Sequence, residues 1–429
     1  MENVNTADPL KRIVIVGGGF AGVNLARNLF KNKSYQVLLI DKNNYNYFTP
    51  FLYQVATSFL DPSSISYPIR KLFRKTGVSF RMSEVVKVVP EKNTLILNDG
   101  SVPYDHLVFA AGTRSNFFGN EIIRQNAIAL KGIDDALYMR NHLMKQLETA
   151  VKESDPVVRE ELLNIVVVGG GPTGVEVIGM LAEMKKYILP KDFPELSDAP
   201  GALYLIDGQP KLMTTMSDKT SRETAAVLDS FGVNVILNMR VLNYQDGVVT
   251  LSNGESIRTA SLIWAAGVTA NTFDGLPAES IGIGKRILTD TYNRVTGFDN
   301  IWAIGDISVQ NIDPAYPKGH PQLAQPAIQQ GTTLAKNFLR LAKGRPMKPF
   351  KYFDRGDMAI VGRHHAVADL FKHRLHLKGF FALFTWLFIH VMSLINVSNK
   401  IKTIFSWAIA YLTRDQALQM IFRSGNRNN

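Results

Sequence analysis

The sequence contains no cysteine, which limits the chemistry open to this chain of 429 residues. A disulfide framework and a thiolate metal site are excluded, so we expect no metal, and any redox chemistry must proceed without a protein thiol. The first twelve residues lack the apolar stretch of a secretory signal and the Arg/Ser-rich pattern of a transit peptide. We therefore expect the mature protein to start near Met1.

Acidic residues are scarce near the C-terminus, although the whole chain carries a net charge of +11. From residue 363 onward nine basic residues stand against only Asp369 and Asp415, a net +7. The nine are Arg363, Lys372, Arg374, Lys378, Lys400, Lys402, Arg414, Arg423 and Arg427. They interleave with the segment GFFALFTWLFIHVMSLI at 379–395, which is too apolar for a nucleic-acid groove. We expect an anionic partner surface and no nucleic acid.

Two similar glycine-rich segments, IVIVGGGFAGVN at 13–24 and IVVVGGGPTGVE at 165–176, dominate what the sequence does contain. Each follows a run of aliphatic residues and precedes a segment with helical character. The chain is 46% hydrophobic, 20% charged and long enough for two or three packed domains. The repeat therefore predicts two nucleotide-binding domains.

The first turn has the spacing of a dinucleotide-binding βα unit. Gly17 permits the tight turn, Gly19 lets the backbone approach a pyrophosphate, and Gly22 lets the next helix pack on the strand. The helix N-terminus would face the phosphate charge. A second strand, YQVLLID, ends in Asp41, whose carboxylate can accept a hydrogen bond from a ribose hydroxyl.

The second turn repeats this geometry with Gly169, Gly171 and Gly174, and the strand ALYLID ends in Asp207. The 38 residues from Gly169 to Asp207 exceed the 24 from Gly17 to Asp41. We interpret LPKDFPELSDAPG at 189–201 as an insertion before the strand. One such turn is weak evidence because a plain glycine-rich βα turn looks the same, but two with strand, helix and acid are not easily coincidental.

A third segment, NRVTGFDNIWAIGDIS at 293–308, places Gly305 and Asp306 after an apolar strand. It resembles the second FAD signature of flavoproteins with two dinucleotide-binding domains. The strand ends LVFAAGT (107–113) and LIWAAGV (262–268) resemble the segments that return the chain between the domains of those proteins. The resemblance assigns FAD to the first turn and a nicotinamide to the second. Asp207 favours NADH because it would repel a 2′-phosphate, while nearby Lys211 leaves NADPH use open.

The predicted fold class is α/β, with two Rossmann-like dinucleotide-binding domains and a C-terminal amphipathic, membrane-anchoring helical region. An FAD domain would be split into 1–115 and 286–345, with an NADH domain inserted at 116–285 and the C-terminal region at 346–429. Hairpin-like sequence with Asp-Gly and Asn-Gly turns precedes each AAG strand. The same βαβ-plus-hairpin unit is therefore expected twice, as in a duplicated fold.

The lack of cysteine also excludes a disulfide reductase and a sulfide-oxidising flavoenzyme, so electrons must leave by a diffusible acceptor, a protein partner or oxygen. Four segments resemble the type II, single-subunit NADH:quinone oxidoreductases of respiratory membranes. They are FTPFLYQVAT at 48–57, LAQPAIQQG at 323–331, MAIVGRHHAVADL at 358–370 and the tail from 386 to 413. In place of the histidine that such enzymes often carry before the first of these segments, this chain has Asn46 and Tyr47.

The resemblance implies one tightly bound FAD per chain, with NADH and a membrane quinone, ubiquinone or menaquinone, as substrates. It also implies a homodimer without proton pumping, lying as a monotopic peripheral protein on the cytoplasmic face of the cell membrane. The implied cofactor-binding residues are Gly17, Gly19, Phe20, Ala21, Gly22, Asp41, Thr49, Gln54, Ala111, Gly112, Gly169, Gly171, Pro172, Thr173, Gly174, Asp207, Ala266, Gly267, Gly305, Asp306 and Gln325.

Three residues are predicted to be catalytic. Gln325 and Gln329 are four apart, so on a helix they share a face, and their amides could donate to a quinone carbonyl without adding charge. An ordinary helix with outward polar residues has the same spacing. Glu176 lies two residues after Gly174, where a carboxylate simply favours a helix start. The resemblance places that glutamate near the nicotinamide and flavin, as a positioning or proton-relay group.

The tail could span a membrane, lie flat on it, or form the core of a third domain. The segment 379–397 is about long enough for a spanning helix by the roughly 20-residue rule, but His390, Ser393 and Asn396 interrupt it. Trp386, Trp407 and Tyr411 favour the headgroup level, and the basic excess favours an anionic leaflet. A pair of amphipathic helices lying flat is the interpretation we prefer.

Two other functions fit the glycine turns. A soluble NAD(P)H-dependent ferredoxin or rubredoxin reductase would share them but would have little use for the apolar basic tail. A flavoprotein that signals through an NADH-triggered change of shape, resembling apoptosis-inducing factors, would reduce quinones poorly. The acceptor of the electrons distinguishes the three.

Overall fold

The computed structural model describes residues 10–371, 374–413 and 418–421. Several residues in the C-terminal charge count lie outside this part of the chain: Lys372, Arg414, Asp415, Arg423 and Arg427. The predicted start near Met1 also lies outside it. The chain divides into two compact units. Unit 1 comprises residues 1–47, 67–114 and 268–354, and unit 2 comprises 48–66, 115–267 and 355–429.

The strands of the described residues are numbered in chain order. They are β1 Lys11–Val16, β2 Tyr35–Asp41, β3 Tyr45–Tyr47, β4 Ser66–Pro68, β5 Val78–Met82, β6 Val85–Val89, β7 Thr94–Leu97, β8 Gly100–Pro103, β9 His106–Phe109, β10 Thr113–Ser115, β11 Ile128–Ala129, β12 Ile165–Val168, β13 Leu203–Ile206, β14 Val233–Ile236, β15 Val241–Gln245, β16 Val248–Leu251, β17 Ser256–Arg258, β18 Ser261–Trp264, β19 Val268–Ala270, β20 Ile287–Leu288, β21 Ile301–Ala303, β22 Ser308–Val309, β23 Gly356–Val361, β24 His365–Leu370 and β25 Leu375–Lys378.

The α-helices are numbered in the same way. They are α1 Phe20–Leu29, α2 Leu52–Ala56, α3 Pro62–Ile65, α4 Ile69–Leu72, α5 Glu121–Asn126, α6 Ile133–Lys152, α7 Pro156–Leu163, α8 Pro172–Glu183, α9 Leu189–Asp192, α10 Asp218–Ser230, α11 Ala324–Leu341, α12 Gly379–Ser393 and α13 Val397–Thr413. Within the described ranges no helix combines the length and the apolar character that crossing a bilayer requires.

Unit 1 is built on a five-stranded parallel sheet in the order β21-β9-β1-β2-β5. Strand β1 is apolar and fully buried from Ile13 to Ile15, as expected for a strand covered on both faces. Helices α1 and α11 pack against each other closely, because a Cβ atom on Gly331 would lie only 2.5 Å from the carbonyl oxygen of Ala21. Glycine at 331 therefore sets the distance between the two helices.

Unit 2 repeats the plan with the parallel order β11-β18-β12-β13-β14. Three-stranded antiparallel sheets accompany each parallel sheet: β6-β7-β8 in unit 1 and β15-β16-β17 in unit 2. Tight turns such as Leu97 to Gly100 join their strands, as the Asp-Gly sequence predicts. The predicted α/β class and its duplicated unit are confirmed.

The insertion before β13 contains short helical turns. A π-helical turn at Met184–Ile188 continues α8, and α9 and a 3-10 turn at Pro194–Leu196 follow. These turns account for the longer interval between the second glycine turn and Asp207.

The assignment of FAD and NADH to the predicted domains stays a prediction. The boundaries of the two compact units differ from the predicted domain boundaries. Residues 48–66 and 355–429 belong with 115–267 in unit 2. Residues 268–285 belong with unit 1. Unit 2 also includes the antiparallel sheet β23-β24-β25, which precedes the C-terminal helices.

The C-terminal helices bury one side and expose the other. Ala382, Trp386 and Val391 are the buried residues of α12. Asn399 of α13 fixes that helix on α3, since its Nδ2 donates to the carbonyl oxygens of Ser63, Ser64 and Ser66 at 2.9–3.1 Å. The exposed apolar side chains define what we call the apolar face: Phe380, Phe381, Phe384, Phe388, Ile389, Met392, Val397, Ile401, Ile404, Phe405, Ile409 and Leu412.

Candidate functional site

The carboxyl ends of three neighbouring strands in unit 1 bring the first set of predicted residues together. Strand β1 leads into Gly17, β9 into Ala111 and Gly112, and β21 into Gly305 and Asp306. Because these strands are parallel and adjacent, their ends meet at one edge of the sheet. Ligands of open α/β sheets bind at such an edge.

The first glycine turn is as tight as its sequence predicts. Gly17 has φ +110°, and a Cβ there would overlap the carbonyl oxygen of Ala110. A Cβ on Gly22 would overlap the carbonyl oxygen of Gly17. At Gly19, in contrast, no atom lies within 4 Å of a Cβ position, and helix α1 has no side-chain N-cap. The turn therefore presents open space and backbone N–H groups, which fits the pyrophosphate of a dinucleotide.

Asp41 and Asn46 hold the shape of this turn. One carboxylate oxygen of Asp41 accepts from the backbone N–H of Gly18 at 2.6 Å, and the other accepts from Asn43 at 2.7 Å. Burial raises the pKa of Asp41, and these backbone hydrogen bonds oppose the rise. The buried Asn46 donates to the carbonyl oxygen of Gly18 at 2.6 Å. Asn46, noted only as a departure from the related enzymes, thus supports the turn.

A glutamine that sequence reasoning missed supports the Gly305–Asp306 turn. Gln330 is 3% exposed, and its Oε1 accepts from the backbone N–H of Gly305 at 2.6 Å. Gly305 has φ +77°, which favours glycine, and a Cβ there would lie 3.0 Å from the Cβ of Ala21. The sequence signal was the second glutamine of the QQG segment, but only the contact shows its role.

The predicted pair Gln325 and Gln329 lies on α11, as expected. Gln329 makes a two-point contact with the main chain of Phe353: its Nε2 donates at 2.9 Å and its Oε1 accepts at 2.9 Å. Gln325 is partly exposed in the first turn of the helix. An amide NH2 group has two hydrogens, so Gln329 keeps one for another acceptor.

Unit 2 holds the second turn, with the same geometry at the ends of β12, β18 and β13. A Cβ on Gly169 (φ +116°) would overlap the carbonyl oxygen of Ala265, and one on Gly174 would overlap that of Gly169. No atom lies within 4 Å of a Cβ position at Gly171, and α8 also lacks a side-chain N-cap. Pro172 and Thr173 begin that helix and are exposed. The second turn therefore fits a second dinucleotide.

Asp207 braces the second turn as Asp41 braces the first. Its carboxylate accepts from the backbone N–H of Gly170 and, at 2.6 Å, from that of Gln209. Lys211, the residue that left NADPH open, is bound to Asp218 with 2.5 Å between Nζ and Oδ1. The ammonium of Lys211 is therefore already paired.

Glu176 lies on α8 in a low-polarity environment. It is partly buried, and burial raises the pKa of its carboxyl group well above the ordinary value. A hydrogen bond from the backbone of Ile360, on β23, lowers the pKa by less. At a given pH this carboxyl group therefore holds its proton more readily than a solvent-exposed glutamate does.

Thr49 and Gln54, predicted among the cofactor-binding residues, belong to unit 2. Thr49 starts a 3-10 turn and is partly exposed. Gln54 is 3% exposed; its Nε2 donates to the hydroxyl of Tyr53 at 2.9 Å and its Oε1 accepts from Trp407 at 2.9 Å. Ala266 and Gly267 follow β18 in the same unit, and Gly267 has φ +140°.

The comparisons with known proteins agree with this geometry. Residues 11–331 match the family model of the pyridine nucleotide-disulphide oxidoreductases, and residues 355–415 match the NDH2 C-terminal domain. A type II NADH:quinone oxidoreductase of Mycobacterium tuberculosis is 33% identical over 95% of this chain and 90% of its own length. The chain belongs to the type II NADH:quinone oxidoreductase family.

Other members and solved structures support this placement. The type II NADH:quinone oxidoreductase of Haemophilus influenzae is 28% identical over 89% of this chain and 93% of its own length. The structure of NDH2 from Plasmodium falciparum in complex with NADH has a TM-score of 0.86, at 21% identity, over 97% of this chain and all of that one. That likeness shows the shared fold.

The sulfide:quinone oxidoreductase of Aquifex aeolicus also shares the fold, with a TM-score of 0.72 at 19% identity over 96% of this chain and 93% of that one. A chain without cysteine cannot use a protein thiol to oxidise sulfide, so the likeness extends to the fold and not to that chemistry.

Proposed function

We propose that this chain is a respiratory flavoenzyme of the membrane surface that oxidises NADH and reduces a quinone without pumping protons. The observation that carries the proposal is the pair of matching glycine turns, each at the carboxyl edge of its own parallel sheet, in a member of this enzyme family. A bound FAD would accept hydride from NADH and pass two electrons to the quinone. The protein supplies binding, orientation and electrostatics.

The turn of unit 1 is proposed to hold FAD and that of unit 2 to hold NADH. Gly17, Gly19 and Gly22 would receive the FAD pyrophosphate on the N-terminus of α1. Asp306, whose turn is fixed by Gln330, would bind the polyol of the flavin. In unit 2, NADH would bind in the same way, at the turn formed by Gly169, Gly171 and Gly174 and at the carboxylate of Asp207. The remaining residues predicted to bind cofactor lie in or next to these turns, except Thr49, Gln54 and Gln325.

Glu176 is proposed to position NADH or to relay a proton. Its raised pKa means that the carboxyl group keeps its proton to a higher pH than an ordinary glutamate does, as a proton relay requires. The change Glu176→Gln keeps the size and removes the titration, so we expect slower flavin reduction by NADH in a rapid-mixing experiment. Equal flavin-reduction rates and equal quinone turnover in the variant and the wild type would remove Glu176 from the mechanism.

Gln325 and Gln329 are proposed to donate hydrogen bonds to the quinone carbonyl. The two-point contact with Phe353 fixes the amide plane of Gln329, which would pre-orient its second hydrogen. Replacing both by glutamate would put negative charge where a carbonyl oxygen must bind. We expect the double variant to lose quinone reduction while flavin reduction by NADH persists.

The apolar face is proposed to lie flat in the membrane interface. Phe380, Phe381 and Phe384 are 74%, 74% and 62% exposed, far more apolar surface than an isolated exposed side chain provides. Lys402 is exposed on α13, and Lys378 is exposed at the end of β25, directly before α12, where its Nζ lies 3.5 Å from Glu223. Both would add positive charge near anionic headgroups. We also propose, from the resemblance, the cytoplasmic face of the cell membrane and a homodimer.

Vesicle flotation tests the membrane proposal. A triple variant, Phe380→Ser, Phe384→Ser and Phe388→Ser, should lose binding to vesicles that contain anionic lipid. Its activity with long-tailed quinones should fall more than its activity with short-chain quinones. A control with Val157→Ser, an exposed apolar residue of α7, should bind as the wild type does. Undiminished flotation of the triple variant would contradict the proposal.

An acceptor panel tests the function itself. Detergent-solubilised protein loaded with FAD is given NADH together with a short-chain quinone, a ferredoxin or rubredoxin, or no acceptor. We expect rapid NADH oxidation only with the quinone. Faster NADH oxidation with the redox protein than with the quinone would favour the soluble reductase. Slow NADH oxidation with both acceptors would favour the signalling flavoprotein.

A further inference from the structure

His390 of α12 lies in an aromatic cluster of unit 2 that the proposed roles leave unexplained. Its ring stacks on that of Trp386, with centroids 4.1 Å apart and planes 22° from parallel. It also stacks on Phe51 at 5.7 Å and meets the edge of Phe48 at 6.1 Å. Phe48 and Phe51 belong to the FTPFLYQVAT segment, so an imidazole sits against a segment otherwise lined by apolar rings.

The hydrogen bonds of His390 determine which ring nitrogen is available. Its Nδ1 lies 2.8 Å from the carbonyl oxygen of Trp386. Because a carbonyl oxygen can only accept, Nδ1 carries the hydrogen and Nε2 keeps a lone pair in the neutral ring. Burial lowers the pKa of His390 to about 4, so the ring is neutral near pH 7. No other residue in the described part of the chain hydrogen-bonds to Nε2.

Trp386 adds an unmatched donor to the same stacked pair. The residue is 1% exposed, yet its indole Nε1–H has no hydrogen-bond partner among the residues that the structure describes. A buried polar group without a partner is costly and marks a site of strain, water or ligand binding. The stacked pair thus offers one acceptor and one donor inside an apolar cluster.

The exposed surface next to His390 leads to this pair. His390 is itself partly exposed, and its neighbours Phe388, Ile389 and Met392 are 59%, 40% and 54% exposed on the apolar face. Because His390 is partly exposed beside these residues, a molecule whose apolar tail lies on the apolar face can bring a polar ring to the imidazole. A hydroxyl group on that ring is the complement of a neutral imidazole nitrogen.

We propose that Nε2 of His390 accepts a hydrogen bond from the hydroxyl group of the reduced quinone, which makes His390 a binding residue for the product quinol. This inference rests on the proposed NADH:quinone activity and deepens it. The oxidised quinone has carbonyl oxygens and no hydroxyl on its redox-active positions, so it gains nothing from a lone pair. His390 therefore distinguishes the two forms of the same molecule.

The test compares quinol binding with quinone binding in the full-length, FAD-loaded enzyme. The KM of a short-chain benzoquinone and the inhibition constant of its borohydride-reduced quinol are measured for the wild type and for His390→Phe. The phenyl ring keeps the aromatic packing and removes the acceptor. We expect the quinol inhibition constant to rise roughly fivefold to tenfold, the value of one lost hydrogen bond, with the quinone KM within about twofold.

Two further variants complete the design. His390→Gln retains a side-chain acceptor and should recover most of the quinol affinity. If His390 acts through packing alone, the quinol affinity of His390→Gln should stay as low as that of His390→Phe. His365→Phe, an exposed histidine of β24 in the same unit, should leave both constants unchanged. If His390→Phe does not retain flavin, His390→Leu takes its place in the comparison.

The outcomes separate this inference from the proposed function. Unchanged quinol inhibition in His390→Phe, or an equal rise of both constants, overturns the role of His390 while quinone turnover by the wild type keeps the proposed function. A wild type that oxidises NADH but reduces no quinone overturns the proposed function, and this inference with it.

Discussion

Gln54 accepts a hydrogen bond at 2.9 Å from the indole nitrogen of Trp407, a residue 353 positions away in the sequence. Both side chains are buried, at 3% and 5% exposure. The bond fastens α13, which carries part of the apolar face, to the segment that starts at Phe48. The C-terminal helices are therefore part of the packed interior of unit 2 on one side and exposed on the other.

The first prediction concerns this bond. Trp407→Phe leaves the buried oxygen of Gln54 without a donor, so we expect the free energy of unfolding to fall by about 1–3 kcal/mol. Urea unfolding of the FAD-loaded protein measures the change. Phe405→Leu on the same helix, where the side chain is 66% exposed, should have little effect. Equal stability of both variants would show that the bond contributes nothing.

Gln330 is predicted to maintain FAD binding without touching the nicotinamide turn. In Gln330→Met the backbone N–H of Gly305 loses its acceptor at 2.6 Å, and the turn that holds Asp306 loosens. We expect FAD to bind roughly tenfold more weakly, measured from the flavin retained after dialysis. Lys336→Met, an exposed position of α11, is the control and should retain flavin. Full flavin retention in Gln330→Met would contradict this role.

Glu176 is predicted to make stability depend on pH. The pKa of Glu176 lies well above the ordinary 4.5 in the folded protein. At a pH between 4.5 and this folded-state pKa, the folded protein therefore binds more protons than the unfolded chain. Stability contributed by the protonated carboxyl is present at low pH and is lost as pH rises through the folded-state pKa. Glu176→Gln has no proton to lose, so its melting temperature should exceed that of the wild type increasingly as pH rises.

Melting curves of the wild type, of Glu176→Gln and of a control variant, recorded from about pH 4.5 upward, measure this difference. Glu148→Gln, an exposed carboxylate on α6 of the same unit, serves as the control. A difference between Glu176→Gln and the wild type that stays constant with pH would refute the assignment of the titrating group.

Asp207 is predicted to set the preference for NADH. Its carboxylate faces the turn at Gly170, and Lys211 is held by Asp218 and does not offset the negative charge. The wild type should favour NADH over NADPH by at least about tenfold in kcat/KM, on the order of 1.4 kcal/mol. Asp207→Ser should narrow that ratio, and Asp229→Ser on the exposed side of α10 should not. If Asp207→Ser does not change the ratio of kcat/KM for NADH to that for NADPH, the selectivity comes from other residues.

Local sequence rules were sufficient for the nucleotide turns. Glycine is required at position 17 because of its positive φ and because a Cβ there would overlap the neighbouring chain at Ala110. The strand patterns YQVLLID and ALYLID each end in the predicted acidic residue. These features follow from spacing because the turn, the strand and the helix are neighbours in sequence. The paired sheets and the repeated hairpins could be predicted for the same reason.

Contacts between distant segments could not be predicted in this way. The sequence near Gln330 gives no sign that its amide binds Gly305. The sequence shows Asn46 only as a departure from the histidine of related enzymes, whereas its side chain donates to the carbonyl oxygen of Gly18. His390 looked like an interruption of an apolar run, whereas it stacks on Phe51. In each case the decisive partner comes from another segment, and periodicity contains no information about it.

The central claim is that electrons cross a bound FAD from NADH to a quinone without help from sulfur. An anaerobic titration of the FAD-loaded protein tests it most directly, by following flavin absorption while NADH and then a short-chain quinone are added. We predict that one NADH bleaches the flavin of one chain and that one quinone restores it, with one quinol formed. A protein that stays colourless with FAD, or a bleached flavin that the quinone fails to reoxidise, would contradict the account.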